Sequence, residues 1–202
     1  MLQVSLDELF PLLAPHLPDV PDATMRLHLA AAASEFLAET YLWREPFDAT
    51  ATQAGVQEYQ LFSVAPIESV LWLRADDATL TPTDPRFLDK TVLARSGKPQ
   101  SFWIKAPDTV VLHPIPDTAY LLTGACALKT SRSSTTIPAW LHETWADALV
   151  DGAYWRIASI PGKTWTAMDL AMMRRQRFDR AKANAKTHDL RQIELRVQPV
   201  RF

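Results

Sequence analysis

The chain reads as an α+β protein: a helical bundle made of an N-terminal helix and a C-terminal αα-hairpin, with an antiparallel β-sheet inserted between them and an extended C-terminal tail. Three observations predict this. Apolar residues recur at helical spacing in the first 45 residues and again over Ile137–His188. Between them, from about Val56, the period shortens to that of strands. After His188 the run Ile193-Glu194-Leu195-Arg196-Val197 alternates strictly, as a strand does. The expected organisation is 1–50 for the N-terminal helices, 51–132 for the β insert, 133–189 for the hairpin and 190–202 for the tail.

In chain order, Ser5-Leu6-Asp7-Glu8 has the form of a capping box and opens a short helix, confined by Pro11, Pro15, Pro18 and Pro21. Asp22 is placed to cap a longer helix whose face is Met25, Leu29, Ala32, Phe36 and Thr40, with Trp43 extending it. Strands are expected at Val56–Phe62, Ile67–Leu73, Ser101–Ile104, Thr109–His113 and Ala119–Lys129. Pro107-Asp108 turns the third of these into the fourth, Asp76-Asp77 marks a turn, and Leu80–Lys90 is irregular. Thr130–Thr136 is a Ser/Thr-rich linker.

The hairpin holds the most information. Pro138 suits a first helical position, and Leu141, Trp145, Ala148, Leu149 and Gly152 follow as a stripe. Pro161-Gly162 stops that helix, Thr166 and Asp169 stand at a capping position for the next, and Leu170, Met173, Phe178, Ala181 and Ala185 form its stripe. The first helix also carries Ala146, Val150, Ala153, Tyr154, Ile157 and Ile160 on another face. Being apolar nearly all round, it needs cover from more than one side, which neighbouring subunits would supply. Trp140, Trp145, Val150, Tyr154 and Ile157 are therefore candidates for a subunit interface, with an ordinary core role as the alternative for the tryptophans. Arg174 and Arg177 join them, in a basic row with Arg175 and Arg180 that is a solvated face, a channel lining or a contact for an acidic neighbour. The terminal strand needs a sheet edge, in its own chain or in another, so Ile193, Leu195, Val197, Val200 and Phe202 are candidates for contact with a neighbour or partner.

Charge is balanced overall but not along the chain. Residues 1–128 hold 8 Lys and Arg against 16 Asp and Glu, and residues 156–202 hold 11 against 4. Such a gradient suits head-to-tail ordering of subunits, or basic residues near DNA or an acidic partner. A single cysteine, Cys126, excludes an intrachain disulfide and reads as a buried hydrophobe. Neither a signal segment nor a run long enough to span a bilayer is visible, so synthesis in the cytoplasm and no membrane partner are expected.

No pattern that carries chemistry is complete. Gly162-Lys163-Thr164 resembles the end of a phosphate-binding loop, but Ile157 stands where the loop needs glycine. His142-Glu143 lacks the second histidine of a zinc helix, because position 146 is Ala146. His16, His28, His113 and His188 have no partners at ligand spacing, and Ser131, Ser133 and Ser134 have no nucleophile-elbow glycines. A non-enzymatic protein with no metal and no cofactor is the expectation.

Several stretches, in order, resemble the head-to-tail adaptor (connector, neck) proteins of tailed bacteriophages: Pro18-Asp19-Val20-Pro21-Asp22, Tyr41-Leu42-Trp43-Arg44-Glu45, Val111–Asp117, Ala127–Arg132, then Ile137–Trp145, Asp151-Gly152-Ala153 and Pro161–Thr166. The resemblance implies a virion structural protein, made in the bacterial cytoplasm. It would form a ring, commonly of twelve copies, that joins the portal protein to a tail or nozzle protein around a channel for double-stranded DNA. It also implies portal contacts by the C-terminal segment. Two other classes remain: a DNA-binding protein acting through the basic hairpin, and a small enzyme or carbohydrate-binding module using the β insert around Trp72 and Trp103.

Overall fold

A computed structural model describes residues 2–87 and 94–197. The chain divides into two units, residues 1–42 with 129–202, and residues 43–128.

The first unit begins with a strand pair. Gln3–Ser5 (β1) lies antiparallel to Thr136–Pro138 (β11), with Val4 opposite Ile137. This pairing escapes the sequence because three-residue strands have too few positions to show a period. Ser5 then caps a 3₁₀ turn, Leu6–Leu9, accepting from the Asp7 N–H at 3.2 Å. Phe10–Leu13 (α1) and a second 3₁₀ turn, Ala14–His16, complete a tight coil that buries Leu6, Leu9, Leu13 and Leu17. Asp22–Thr40 (α2) starts after Pro21 and stops at Tyr41, which takes a left-handed conformation (φ 53°) and donates to the Leu37 carbonyl. Met25, Leu29, Ala32, Phe36 and Thr40 are all buried, as their spacing predicts. Trp43 does not extend this face: the helix has ended, and Trp43 is buried as part of the second unit.

The hairpin consists of Ala139–Ala158 (α3) and Met168–Val197 (α4). Pro138 occupies the N-cap rather than the first helical position, and α3 bends at Trp145 (φ −125°, ψ 16°). Thr166 serves the turn, not the helix. Its hydroxyl accepts from the Lys163 N–H at 3.0 Å and donates to the Ile160 carbonyl at 2.6 Å, and α4 starts two residues later. Gly162 in this turn sits at φ 72°, a conformation glycine adopts without strain.

The three long helices meet at Gly152. A Cβ there would lie 2.9 Å from Ala32 Cβ on α2 and 2.8 Å from Phe178 Cε2 on α4, so the missing side chain is what lets both neighbours approach α3. Ala148, Leu149, Val150, Ala153, Tyr154, Ile157 and Ala158 are buried as well. The all-round apolar character of α3 is thus answered within its own chain, by α2 on one side and α4 on another.

α4 corrects two expectations. Its buried line is Ala171, Phe178, Lys182 and Ala185, whereas Leu170 and Met173 of the expected stripe are exposed. Steps of seven and four from Ala171 hold one face, and Leu170 and Met173 turn to its flank. The expected strand Ile193–Val197 is helical, continuing α4. Five alternating residues are also consistent with a helix when, as here, no Gly or Pro interrupts the chain between Gly162 and Pro199 and the preceding residues are strong helix formers.

The second unit holds two sheets where one was expected. In the first, Leu121–Leu128 (β10) pairs on one edge with Arg44–Pro46 (β2) and Thr50–Ala51 (β3) and on the other with Ile67–Ala75 (β5), which continues to Ala78–Thr79 (β6). In the second, Glu58–Gln60 (β4), Thr109–His113 (β9), Ser101–Ala106 (β8) and Thr81–Pro82 (β7) lie in that order. The pairing is antiparallel except between β7 and β8. The hairpin about Pro107-Asp108 and the turn at Asp76, whose φ is 50°, stand where the sequence places them.

Candidate interaction site

Two ion clusters hold the bundle. Asp151, on α3 and 3% exposed, is surrounded by apolar residues yet carries two arginines from α4. Arg174 Nη1 reaches Oδ1 at 2.5 Å and Arg177 Nε reaches Oδ2 at 3.0 Å, while the Arg174 guanidinium also lies 5.0 Å from the Tyr154 ring centre. A buried carboxylate with both oxygens engaged registers α4 against α3. Replacing Asp151 by asparagine should lower stability by about 2–3 kcal/mol, short of the roughly 3–5 of a fully buried pair because Arg177 retains solvent. Urea unfolding followed by helical circular dichroism checks this, and a loss below about 0.5 kcal/mol would refute the registering role.

The second cluster links all three long helices. Arg156 on α3 pairs with Glu35 on α2 and also donates to the Gly152 carbonyl. Lys182 on α4 reaches Glu35 at 2.9 Å, Glu39 at 3.0 Å and Asp179 at 3.0 Å. Burial works against the Lys182 ammonium, but the hydrogen bonds it donates to Glu35, Glu39 and Asp179 outweigh it and raise its pKa. Burial lowers the pKa of Arg156, with Glu35 opposing. Both cations also face the Phe178 ring, Lys182 Nζ at 4.7 Å and Arg156 Cζ at 5.6 Å from its centre.

Two histidines titrate against the fold. Burial, reinforced by the charge of Arg156, pushes His28 below its usual 6.5, and burial with Arg95 does the same for His113. The native state therefore holds their neutral forms and binds fewer protons than the unfolded chain. Their contribution is full above about pH 6.5 and is lost as pH falls through the depressed native values. The thermal midpoint should drop between pH 7.5 and 5.5, and an H28Q/H113Q variant should drop less. Equal drops would remove the histidines as the cause.

The residues singled out in the sequence fall into three groups. Val150, Tyr154 and Ile157 are buried within their own unit, at 5%, 3% and 0% exposure; Trp140 and Trp145 are half-buried, and the Trp145 ring lies 5.2 Å from Phe36. Arg174 and Arg177 are engaged with Asp151. Ile193, Leu195 and Val197 lie in the last turns of α4, where only the backbone is described, and Val200 and Phe202 fall outside the described residues. Trp72 and Trp103 are on different sheets, β5 and β8.

What sequence reasoning missed is the free apolar surface. It lies on the first two turns of α4, where Met168, Leu170, Met172 and Met173 are 38–59% exposed. Four of the six residues in Met168-Asp169-Leu170-Ala171-Met172-Met173 are large and apolar with only Asp169 polar, a signal present in the sequence that a core stripe through Leu170 and Met173 conceals. Trp155 and Trp165 each bury an indole N–H that has no acceptor among the described residues. No group of three or more His, Cys, Asp or Glu side chains among the described residues is arranged to hold a metal, and no described helix is long and apolar enough to cross a membrane.

This is an α+β protein whose buried charges lock helices together and whose free surface of note is an apolar helix end. The chain belongs to the SU10 adaptor protein family, whose model matches residues 4–200, and that is a structural family of phage head-to-tail adaptors, not an enzyme family. No curated protein matches the chain.

Proposed function

We propose that the protein is a virion component of the phage neck: copies assemble into a ring, twelve in number by analogy with other adaptors, that joins the portal protein to the tail or nozzle protein and surrounds the double-stranded DNA channel. The observation that carries this reading is the family match over nearly the whole chain, both units included. The exposed apolar start of α4 supports it, since patches of this kind mark surfaces that bind other proteins. DNA passes the ring without sequence-specific contact. In keeping with that, two of the four arginines in the basic row neutralise Asp151, which weakens the reading of a separate DNA-binding protein. The C-terminal segment, residues 190–202, contacts the portal or a neighbouring copy in this reading.

Mixing the purified protein with portal rings and imaging by negative stain tests this. Ring-on-ring particles are expected for the full chain, and weaker docking for a chain ending at residue 189. Portal rings that stay bare would overturn the adaptor reading, and undiminished docking of the shortened chain would overturn the role of the C-terminal segment.

A further inference from the structure

We propose that the exposed face of α4, Met172 and Met173 followed by Gln176 and Arg180, is the surface onto which the neighbouring copy of the chain docks, and that the neighbour presents its N-terminal face, Glu8, Leu12, Asp19 and Asp22. This rests on the ring reading and gives it its contact surfaces.

The argument begins with charge left over inside the unit. Residues 1–42 hold one arginine against six Asp and Glu, and α4 holds eight Lys and Arg against four. Many of these cancel within the chain: Asp7 holds Arg26 at 2.8 Å, Glu35 and Glu39 hold Lys182, Glu35 also holds Arg156, and Asp151 holds Arg174 and Arg177. Glu8, Asp19 and Asp22 remain in the N-terminal segment, and Arg180 and Lys186 with one acid, Asp169, on α4, all exposed and engaged in no ion pair among the described residues. Opposite surpluses on one unit favour head-to-tail contact with the next copy over a two-fold contact of like surfaces.

Apolar surface follows the same division. Met172 is 54% and Met173 59% exposed on α4, and Leu12 is 46% exposed in the N-terminal coil that also carries Glu8. Methionine adapts its shape to an incoming surface, while the coil is stiffened by Pro11, Pro15, Pro18 and Pro21, so little backbone entropy is lost when it docks. The two surfaces are different parts of one unit, which makes the contact heterologous: each copy uses one surface to the left and the other to the right, and a closing rotation yields a ring. A portal-facing role for the same α4 surface would leave the acidic coil without a counterpart.

Mass photometry of the full chain, alone and with portal rings, tests the pairing with four proteins: wild type, M172S/M173S/R180E, R180E and D19K/D22K. Circular dichroism confirms that each is folded. Each variant alone should need at least about tenfold more protein to associate or to complete a ring on the portal. An R180E chain should regain association with a D19K/D22K chain when the two are mixed, because the reversed charges face each other at the joint. Variants that assemble as wild type does, or a mixture that regains nothing, would overturn the proposed surfaces and leave the adaptor reading standing. Wild type that neither self-associates nor loads onto portals would overturn both.

Discussion

Replacing Phe178 by alanine should lower the unfolding free energy of the helical unit by about 3–5 kcal/mol, the range for a large aromatic removed from a closed core. Phe178 is fully buried, lies 6.1 Å from the Phe36 ring, and forms the wall against which Gly152 lets α3 close. Truncation would leave a cavity at the point where α2, α3 and α4 meet, and would remove the ring that faces both Arg156 and Lys182. Those cations would keep their carboxylates but lose their apolar cover, so water would enter the cluster. Urea denaturation read by helical circular dichroism gives the number. A loss under about 1 kcal/mol would mean that the three helices do not share this core.

The β unit has a comparable point at Gly124. A Cβ there would lie 2.5 Å from Phe47 Cε1 and nearer still to the Trp72 carbonyl oxygen. The carbonyl belongs to the ladder between β5 and β10 and cannot move without breaking it. Even alanine should therefore cost about 3 kcal/mol, the upper part of the usual range for overpacking. The loss should appear in the fluorescence of Trp72, which is half exposed beside the site. An alanine variant as stable as wild type would contradict the close approach.

Strong periodicity was legible, and short or shared features were not. The α2 face from Met25 to Thr40 and the hairpin about Pro107-Asp108 follow from spacing and turn chemistry alone. β1 and β11 could not be seen, because three residues carry no period and their pairing joins the N-terminal segment to the residues just before α3. The terminal segment misled because Ile193, Leu195 and Val197 alternate inside a longer run of helix formers, and the run prevails. The free apolar surface of α4 is hidden for a related reason: Gly152 allows α2 and α4 to close on the apolar α3, and Met168 to Met173 are left outside. The buried acid Asp151, alone in the run Ala148 to Ala153, was visible in the sequence but took its meaning only when Arg174 and Arg177 were brought to it.

The family match, the internal cancellation of charge and the bare methionines on α4 all bear on one question, whether this chain works as a layer of the neck. A cryo-electron microscopy reconstruction of the neck of virions that carry the protein answers it most directly. The account predicts a ring of density between portal and tail, into which the three-helix unit and the two-sheet unit each fit, with α4 of one copy against the N-terminal coil of the next. Virions in which the protein is absent, or occupies a position away from the portal vertex, would contradict it.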